Sequence, residues 1–311
     1  MRQTLAHSQE ALVRAGVGEA FLEADLLVAE ALGIHRTALY AAWEDPFPRN
    51  LQPRLQRLLH RRAAREPLAY ILGQREFYGL GFKVGRSVLI PRPETETLVG
   101  EALQIAKRLS SPSPKGRGGQ GERLSPLLIA DVGTGSGAIA VSLAKNLPNA
   151  FLYATDTSLR TLAIAKSNAK THAVEERLDF RVGSLLSPLP EPVDIIAANL
   201  PYLPTSRISA LEPEVSRYEP RRALDGGPDG LGLVRRLLRQ SPGYLKVGGA
   251  ILLELDPEQM EAAEAFALGV YPQAKARRVK DLAGMERVLV IECAETFGGL
   301  HSPLDTPIAS L

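Results

Sequence analysis

The chain has one cysteine, Cys293, among 311 residues, and five scattered histidines. A lone cysteine excludes an internal disulfide and any multi-cysteine metal site, and the histidines show no metal-ligand spacing, so no metal is expected. No run of 18 apolar residues occurs, which excludes an ordinary membrane-spanning helix. The first residues, MRQTLAHSQEALVRAGV, lack the apolar segment of a secretory signal. A large charge of either sign is also missing. Lys and Arg number 37 against 35 Asp and Glu, leaving +2. That balance argues against a protein held on nucleic acid by a strongly basic surface, although it leaves room for a local basic patch. These absences predict a soluble cytoplasmic protein. What is present, 45% hydrophobic and 23% charged residues, suffices for a proper core in one large domain or two ordinary ones.

Residues 1 to about 72 read as helical. Ala20, Leu22, Ala24, Leu26, Leu27, Ala29 and Leu32 recur at helical spacing, and Gly33 supplies a stop. A second helical segment, Leu51 to Ala64, sets Leu51, Leu55, Leu58 and Leu59 among Arg54, Arg57, Arg61, Arg62 and Arg65; the arginines read as a solvated face. Residues 76–90 (EFYGLGFKVGRSVLI) hold two short β-type runs around Gly79, Gly81 and Gly85, the pattern of a hairpin. Pro91 and Pro93 then break structure before a helix over Thr97–Leu109, begun by Glu94 or Thr95. Residues 110–125 turn abruptly to Ser, Pro, Gly and Arg and read as a flexible insertion, and the last residues, from 296, as a disordered tail.

From Pro126 onward, short apolar runs alternate with helical ones. Strands are predicted at LLIADVG, AFLYATD, LDFRVG, VDIIAANL, Ala250–Leu255, Ala274–Val279 and Arg287–Glu292, with no room for a long helix between LDFRVG and VDIIAANL. Residues 203–227 read as a loop. The alternation predicts an α/β fold, a doubly wound and mostly parallel sheet with helices on both faces.

Asp131-Val132-Gly133-Thr134-Gly135-Ser136-Gly137 follows the first of these strands and opens a helix. Glycines there allow a tight turn and a close approach to a ligand, and in an open α/β sheet ligands sit at the carboxyl ends of the strands. The next strand ends in Asp156, a carboxylate suited to two ribose hydroxyls. The loop alone also fits a dinucleotide. Asp131, two residues before the first glycine, disfavours a pyrophosphate and favours a cationic ligand such as S-adenosylmethionine.

Asn199-Leu200-Pro201-Tyr202 follows VDIIAA, which places it across the crevice from the glycine loop. The Asn199 side-chain oxygen and the Leu200 carbonyl can each accept one N–H of a substrate amino or amide group. Pro201 stiffens the turn, and Tyr202 offers a flat face for a planar group. Two acceptors raise electron density at a delocalised nitrogen and aim its lone pair, so positioning and electrostatics carry the chemistry without a strong base. Asn199 and Tyr202 are thus the candidate catalytic residues. A glutamine amide and a nucleobase amino group satisfy this clamp equally well.

With these motifs together, the chain resembles the class I methyltransferases and, more narrowly, the bacterial PrmC (HemK) family that methylates the glutamine of the Gly-Gly-Gln motif in peptide chain release factors. The likeness spans roughly residues 20–109 and 126–293 and includes REPLAYILGQREFYGLGFKV (65–84), VLIPRPETETLV (88–99) and YEPRRALDGGPDGLG (218–232). The resemblance implies a seven-stranded Rossmann-like sheet, with residues 1–75 as a helical substrate-recognition domain, 76–95 as a hairpin linker and 96–295 as the methyltransferase domain. It implies that Gly133, Thr134, Gly135, Ser136, Gly137 and Asp156, with Asp131 and Asn199, bind S-adenosylmethionine. Ser184 and Leu185 would flank its adenine, and Asn199, Leu200, Pro201 and Tyr202 would hold the glutamine. The implied partners are release factors, with no obligatory nucleic acid. Methylation of a ribosomal-protein glutamine or of a nucleobase amino group are the alternatives. Three departures stand out. Leu200 replaces a frequent proline, Ser184-Leu185 replaces an acidic–aromatic pair and so removes ring stacking on adenine, and the insertion lies outside the pattern. That insertion contains Gly118-Gly119-Gln120, the tripeptide the family modifies, read here as coincidence in a glycine-rich stretch.

Overall fold

The computed structural model describes residues 1–110 and 126–293; most of the insertion, with its Gly-Gly-Gln, and the tail from residue 294 lie outside the described residues. Five helices come first: α1 (Arg2–Arg14), α2 (Ala20–Leu32), α3 (Arg36–Ala41), α4 (Gln52–Ala63) and α5 (Leu68–Leu72). Leu5, Leu12, Ala24, Leu27, Val28 and Leu55 form their shared interior. Gly33 ends α2 in the left-handed conformation (φ 70°), where a side chain would be strained.

The arginines of α4 are not one solvated face. Arg54 stays outward and meets Glu30 at 2.6 Å. Arg62 is buried between Glu23 and Glu214, and Arg65 pairs with both Glu212 and Glu214. Helical periodicity located the arginines on the polar side; the partners of Arg62 and Arg65, namely Glu23, Glu212 and Glu214, lie 39 to 152 residues away in the chain, beyond the reach of any local pattern.

A hairpin follows, β1 (Gln74–Phe77) with β2 (Leu80–Lys83). Its two-residue turn holds Tyr78 (φ 51°) and Gly79 (φ 69°) in the left-handed region, the geometry that matches the twist of paired strands. The hairpin begins two residues before the expected start, and no strand forms beyond Lys83. Helix α6 (Thr95–Ser110) then starts directly after the proline run.

The remaining elements are β3 (Leu127–Val132), α7 (Ala138–Asn146), β4 (Ala150–Asp156), α8 (Leu159–Thr171), β5 (Leu178–Val182), β6 (Val193–Ala198), α9 (Pro213–Tyr218), α10 (Gly232–Gln240), β7 (Leu245–Glu254), α11 (Met260–Val270), β8 (Lys275–Lys280) and β9 (Glu286–Glu292). Seven of the strands form one sheet in the order β5-β4-β3-β6-β7-β9-β8, parallel except for β9. The alternation of a strand sends neighbours to opposite cores. Ile129 packs with α6 and α7, while Leu128 packs with α10 and α11. Both faces of the central strands β3, β4, β6 and β7 are covered, which is why their buried stretches are largely apolar.

Two local readings change. The Gly248-Gly249 pair looks like a break, yet β7 runs through it from Leu245. Gly248 has φ 77°, and the pairing with β6 shifts register there, so the pair makes a bulge. The 203–227 loop contains the short helix α9. Among the described residues, no helix is long and apolar enough to cross a membrane.

Candidate active site

The strand order reverses between β3 and β6, and such a switch point opens a crevice at the carboxyl ends of the strands. Register sets what faces what there. Val132 pairs with Ala198, so Gly133 and Asn199 follow side by side; Ala198 also pairs with Leu253, so Glu254 lies beside Asn199 on the other flank.

The glycine loop turns under tight constraint. Gly133, Gly135 and Gly137 have φ of 75°, 56° and 81°. A Cβ on Gly133 would stand 3.1 Å from the Leu200 side chain, and one on Gly137 would stand 3.1 Å from Ala165. The Gly133 and Thr134 N–H groups donate to the Thr155 carbonyl at 2.9 Å. Asn168, buried on α8, donates to the Ser136 carbonyl (2.8 Å) and, with the other N–H, to the Lys83 carbonyl (3.0 Å), while accepting from the Lys83 N–H (2.8 Å). One side chain thereby joins the hairpin to the loop.

Asp131 sits behind this loop rather than in the cleft wall. It is fully buried, and its Oδ2 accepts from the Thr134 hydroxyl (2.6 Å) and the Ala140 N–H (3.0 Å), leaving Oδ1 without a protein partner. Burial pushes its carboxyl up to about 6, and the nearby Asp156 charge adds to the rise. This carboxylate is braced behind the loop and is not among the residues that line the cleft. Gly137 likewise shapes the turn from outside the lining and caps α7.

The cleft, about 1010 Å³, is lined by Gly133, Thr134, Gly135, Ser136, Asp156, Ser184, Leu185, Asn199, Leu200 and Pro201 among others. Asp156 accepts from the N–H groups of Ser158 (2.9 Å) and Gly135 (3.3 Å); burial still raises its pKa. Leu185 holds a left-handed backbone (φ 53°), and its carbonyl accepts from the Thr155 hydroxyl at 3.0 Å. Two carboxylates at the β3 and β4 ends suit a cationic nucleoside far better than a pyrophosphate. The orphaned Asp131 oxygen points the same way.

Asn199 stands where this cleft meets a second cavity of about 580 Å³, lined by Leu89, Arg92, Tyr202, Leu203, Leu211, Val215, Ala223 and Leu224. Its Nδ2 donates to the Thr95 hydroxyl at 3.0 Å. The Tyr202 hydroxyl donates to Glu254 at 3.3 Å, and Tyr202 lines only the second cavity. Gln259 donates to the Tyr202 carbonyl at 2.8 Å and to the Asp229 carbonyl at 2.9 Å. Among the described residues, no donor reaches the Leu200 carbonyl.

Sequence reasoning missed Thr95, Glu254 and Gln259. Thr95 lay inside the quoted IPRPETE run but was read only as a helix start. Glu254 was the only charge in the apolar stretch Ala250–Leu255, which is a signal that could have been used. The YEPRRALDGGPDGLG run also gains a physical reason. A Cβ on Gly226 would come within 2.6 Å of the Pro201 carbonyl oxygen, and one on Gly230 within 2.1 Å of the Tyr202 carbonyl oxygen. Those glycines are what let the backbone back the clamp.

This sheet order with a reversed β9, a glycine turn after β3 and a carboxylate ending β4 define a class I S-adenosylmethionine-dependent methyltransferase. The hMettl16 catalytic domain in complex with MAT2A 3′UTR hairpin 6 shares the fold, with TM-score 0.54 and 15% identity over 78% of this chain and 83% of that one. Residues 3–73 match the model of the PrmC N-terminal domain, and residues 124–210 that of the methyltransferase small domain. The release factor glutamine methyltransferase of Geobacter sulfurreducens is 39% identical over 93% of this chain and 95% of its own length. That of Moorella thermoacetica is 39% identical over 92% and 96%. The chain belongs to the release factor glutamine methyltransferase family.

Proposed function

We propose that the protein transfers a methyl group from S-adenosylmethionine to the side-chain amide nitrogen, N5, of the glutamine in the Gly-Gly-Gln motif of peptide chain release factors. The observation that carries this reading is the placement of Asn199 between the two cavities, with its NH2 committed to Thr95. Its Oδ1 is then left to accept one amide N–H, and the Leu200 carbonyl to accept the other.

When bound, S-adenosylmethionine supplies an electrophilic methyl group; the residues of the chain hold and orient what reacts with it. In this reading Gly133–Gly137 and Asp156 hold the cofactor, Ser184 and Leu185 flank its adenine, and Asp131 favours its cationic character from behind the loop. The two clamp acceptors polarise the amide N–H bonds and aim the nitrogen lone pair at the cleft. Tyr202 and Pro201 supply flat walls for the planar amide. No acidic or imidazole side chain lines the second cavity among the described residues. None is required, because an amide nitrogen that has gained a methyl group is strongly acidic and releases its proton to water.

Residues 1–75 serve as the substrate-recognition domain in this reading. Support comes from Arg62 and Arg65, which grip Glu214 on α9, the helix that contributes Val215 to the second cavity. The reading needs no nucleic acid and places the reaction in the cytoplasm.

The test is labelled methyl transfer to purified release factor, compared with a Gln→Ala version of its Gly-Gly-Gln loop. Label is expected only in the former and is expected to survive nuclease treatment. Equal labelling of the two would overturn the reading.

A further inference from the structure

Leu89, Arg92, Asn199 and Ala223 line both cavities and so mark the waist at which donor and acceptor meet. Arg92 alone of these carries a charge. Its Nη2 donates to Glu219, the residue that directly follows α9. The Glu219 side chain is 1% exposed, and its other oxygen accepts the Ile90 N–H at 3.2 Å. Both oxygens of this buried carboxylate are thus spent on the IPR segment, and a buried carboxylate without such partners would be costly. Arg92, by contrast, keeps donors in hand. A guanidinium has five N–H groups. Among the described residues Arg92 bonds only to Glu219, and 32% of its side chain remains open.

The charges of the cofactor cleft are unevenly placed. Its described lining holds one acid, Asp156, and two cations, Arg92 and Arg222. Arg222 is tied to the Asp156 end. Its Nη2 donates to the Thr161 hydroxyl (2.8 Å) and to the Ser87 carbonyl (3.0 Å). Thr161 lies in the first turn of α8, whose cap Ser158 donates its N–H to Asp156 at 2.9 Å. Arg92 stands at the other end, beside Asn199. S-adenosylmethionine carries one carboxylate, on its methionyl group. With Asp156 on the ribose and Ser184 and Leu185 on the adenine, the methionyl end has to extend toward Asn199, because the methyl group must reach the waist. The carboxylate then enters the part of the cleft where Arg92 has N–H groups to give, and a guanidinium–carboxylate contact is among the stronger hydrogen bonds.

We propose that Arg92 binds the methionyl carboxylate of the donor, and that Glu219 is a positioning residue that holds this guanidinium at the waist and offsets its charge. The offset matters because the donor also carries a sulfonium. A bare guanidinium in a half-buried site would repel that centre. Paired with Glu219, it donates hydrogen bonds to the carboxylate while presenting little net charge to the sulfur. The inference rests on the donor placement given above, with the ribose on Asp156.

Three ligands dissect the donor, and calorimetry reads them without turnover. S-adenosylhomocysteine keeps the carboxylate and lacks the sulfonium; 5′-methylthioadenosine lacks both. Arg92→Met is expected to weaken S-adenosylhomocysteine at least tenfold, the scale of a lost charge-assisted hydrogen bond, with methylthioadenosine within twofold of the parent protein. Arg92→Lys keeps the charge and should lose less than Arg92→Met. Glu219→Gln keeps the shape and should weaken S-adenosylmethionine at least threefold more than S-adenosylhomocysteine, a difference that general loosening of the site would not produce. If Arg92→Met weakens S-adenosylhomocysteine and methylthioadenosine alike, or leaves both unchanged while raising KM for release factor, the carboxylate contact is overturned. Equal losses of S-adenosylmethionine and S-adenosylhomocysteine in Glu219→Gln would overturn the charge role of Glu219. Methylthioadenosine binding that is indifferent to Asp156→Ala would instead overturn the donor placement on which the inference rests.

Discussion

Arg65 and Glu214 meet as a two-pronged pair across 149 residues of sequence, Nε to Oε1 at 2.6 Å and Nη2 to Oε2 at 2.7 Å. Arg65 does so from a left-handed backbone position (φ 66°) just after α4, and Arg62 reaches the same carboxylate from the helix. The N-terminal helices are thereby fastened to the wall of the second cavity, not to the cofactor cleft.

Glu214→Gln removes the charge that Arg62 and Arg65 share. Because both arginines are largely withdrawn from water, the cost is about 1–3 kcal/mol of stability. Methylation kinetics should show a KM for release factor raised several-fold, with S-adenosylmethionine affinity unchanged in calorimetry. A change confined to cofactor affinity would contradict the placement.

Asn199→Ala deletes the acceptor at the junction of the cavities. Loss of one such oriented group costs about 10²–10³ in turnover. Equilibrium binding should show S-adenosylmethionine largely retained, since the glycine loop and Asp156 are untouched. Loss of cofactor binding would show that Asn199 serves the donor rather than the acceptor.

Asp131 gives a pH signature in stability. Its folded pKa, about 6, lies above its ordinary 3.8, so between these values the folded state holds more proton than the unfolded one. Stability from this group is therefore full below about 4, falls as pH rises toward 6, and is level above. Asp131→Asn keeps an acceptor for Thr134 and Ala140 and lacks that titration. Measured against wild type, the variant should gain about 3 kcal/mol between pH 4 and 7. A constant difference across that range would refute the assignment of Asp131 as the buried acid.

Two glycine substitutions separate backbone strain from clamp support. Gly33→Ala meets nothing within 4 Å and carries only the left-handed penalty of about 1 kcal/mol, with activity intact. Gly230→Ala adds a methyl group 2.1 Å from the Tyr202 carbonyl oxygen and 2.2 Å from Gln259 Nε2. Its melting temperature should fall further, and residual folded enzyme should lose at least tenfold in kcat. Equal behaviour of the two variants would argue against a backbone role for Gly230.

The centre of the sheet was readable because β3, β4, β6 and β7 each carry a local signature, an apolar run closed by Gly, Asp or Asn. The glycine loop and the Asn199–Tyr202 turn were readable for the same reason, as contiguous words at strand ends. That Asp131 lies behind the cleft lining was not readable, since sequence reports adjacency to a loop but not the side of it on which a carboxylate lies. Thr95, Glu254 and Gln259 could not be joined to Asn199 or Tyr202, because the contacts exist only through the register of β6 with β7 and the docking of α6. Arg62 and Arg65 failed likewise: Glu23, Glu212 and Glu214 are remote from them in the chain.

The Asn168 side chain gives both of its N–H groups away, one to Lys83 and one to Ser136. A consequence follows for anyone dividing the protein. Cutting between the N-terminal helices and the sheet, at any point after the hairpin, removes one of the two main-chain segments that hold this amide still. The donor loop would then rest on a side chain free to rotate. The methyltransferase half is thus no interchangeable cassette, and transplantation onto another recognition module must carry residues 74–83 with it.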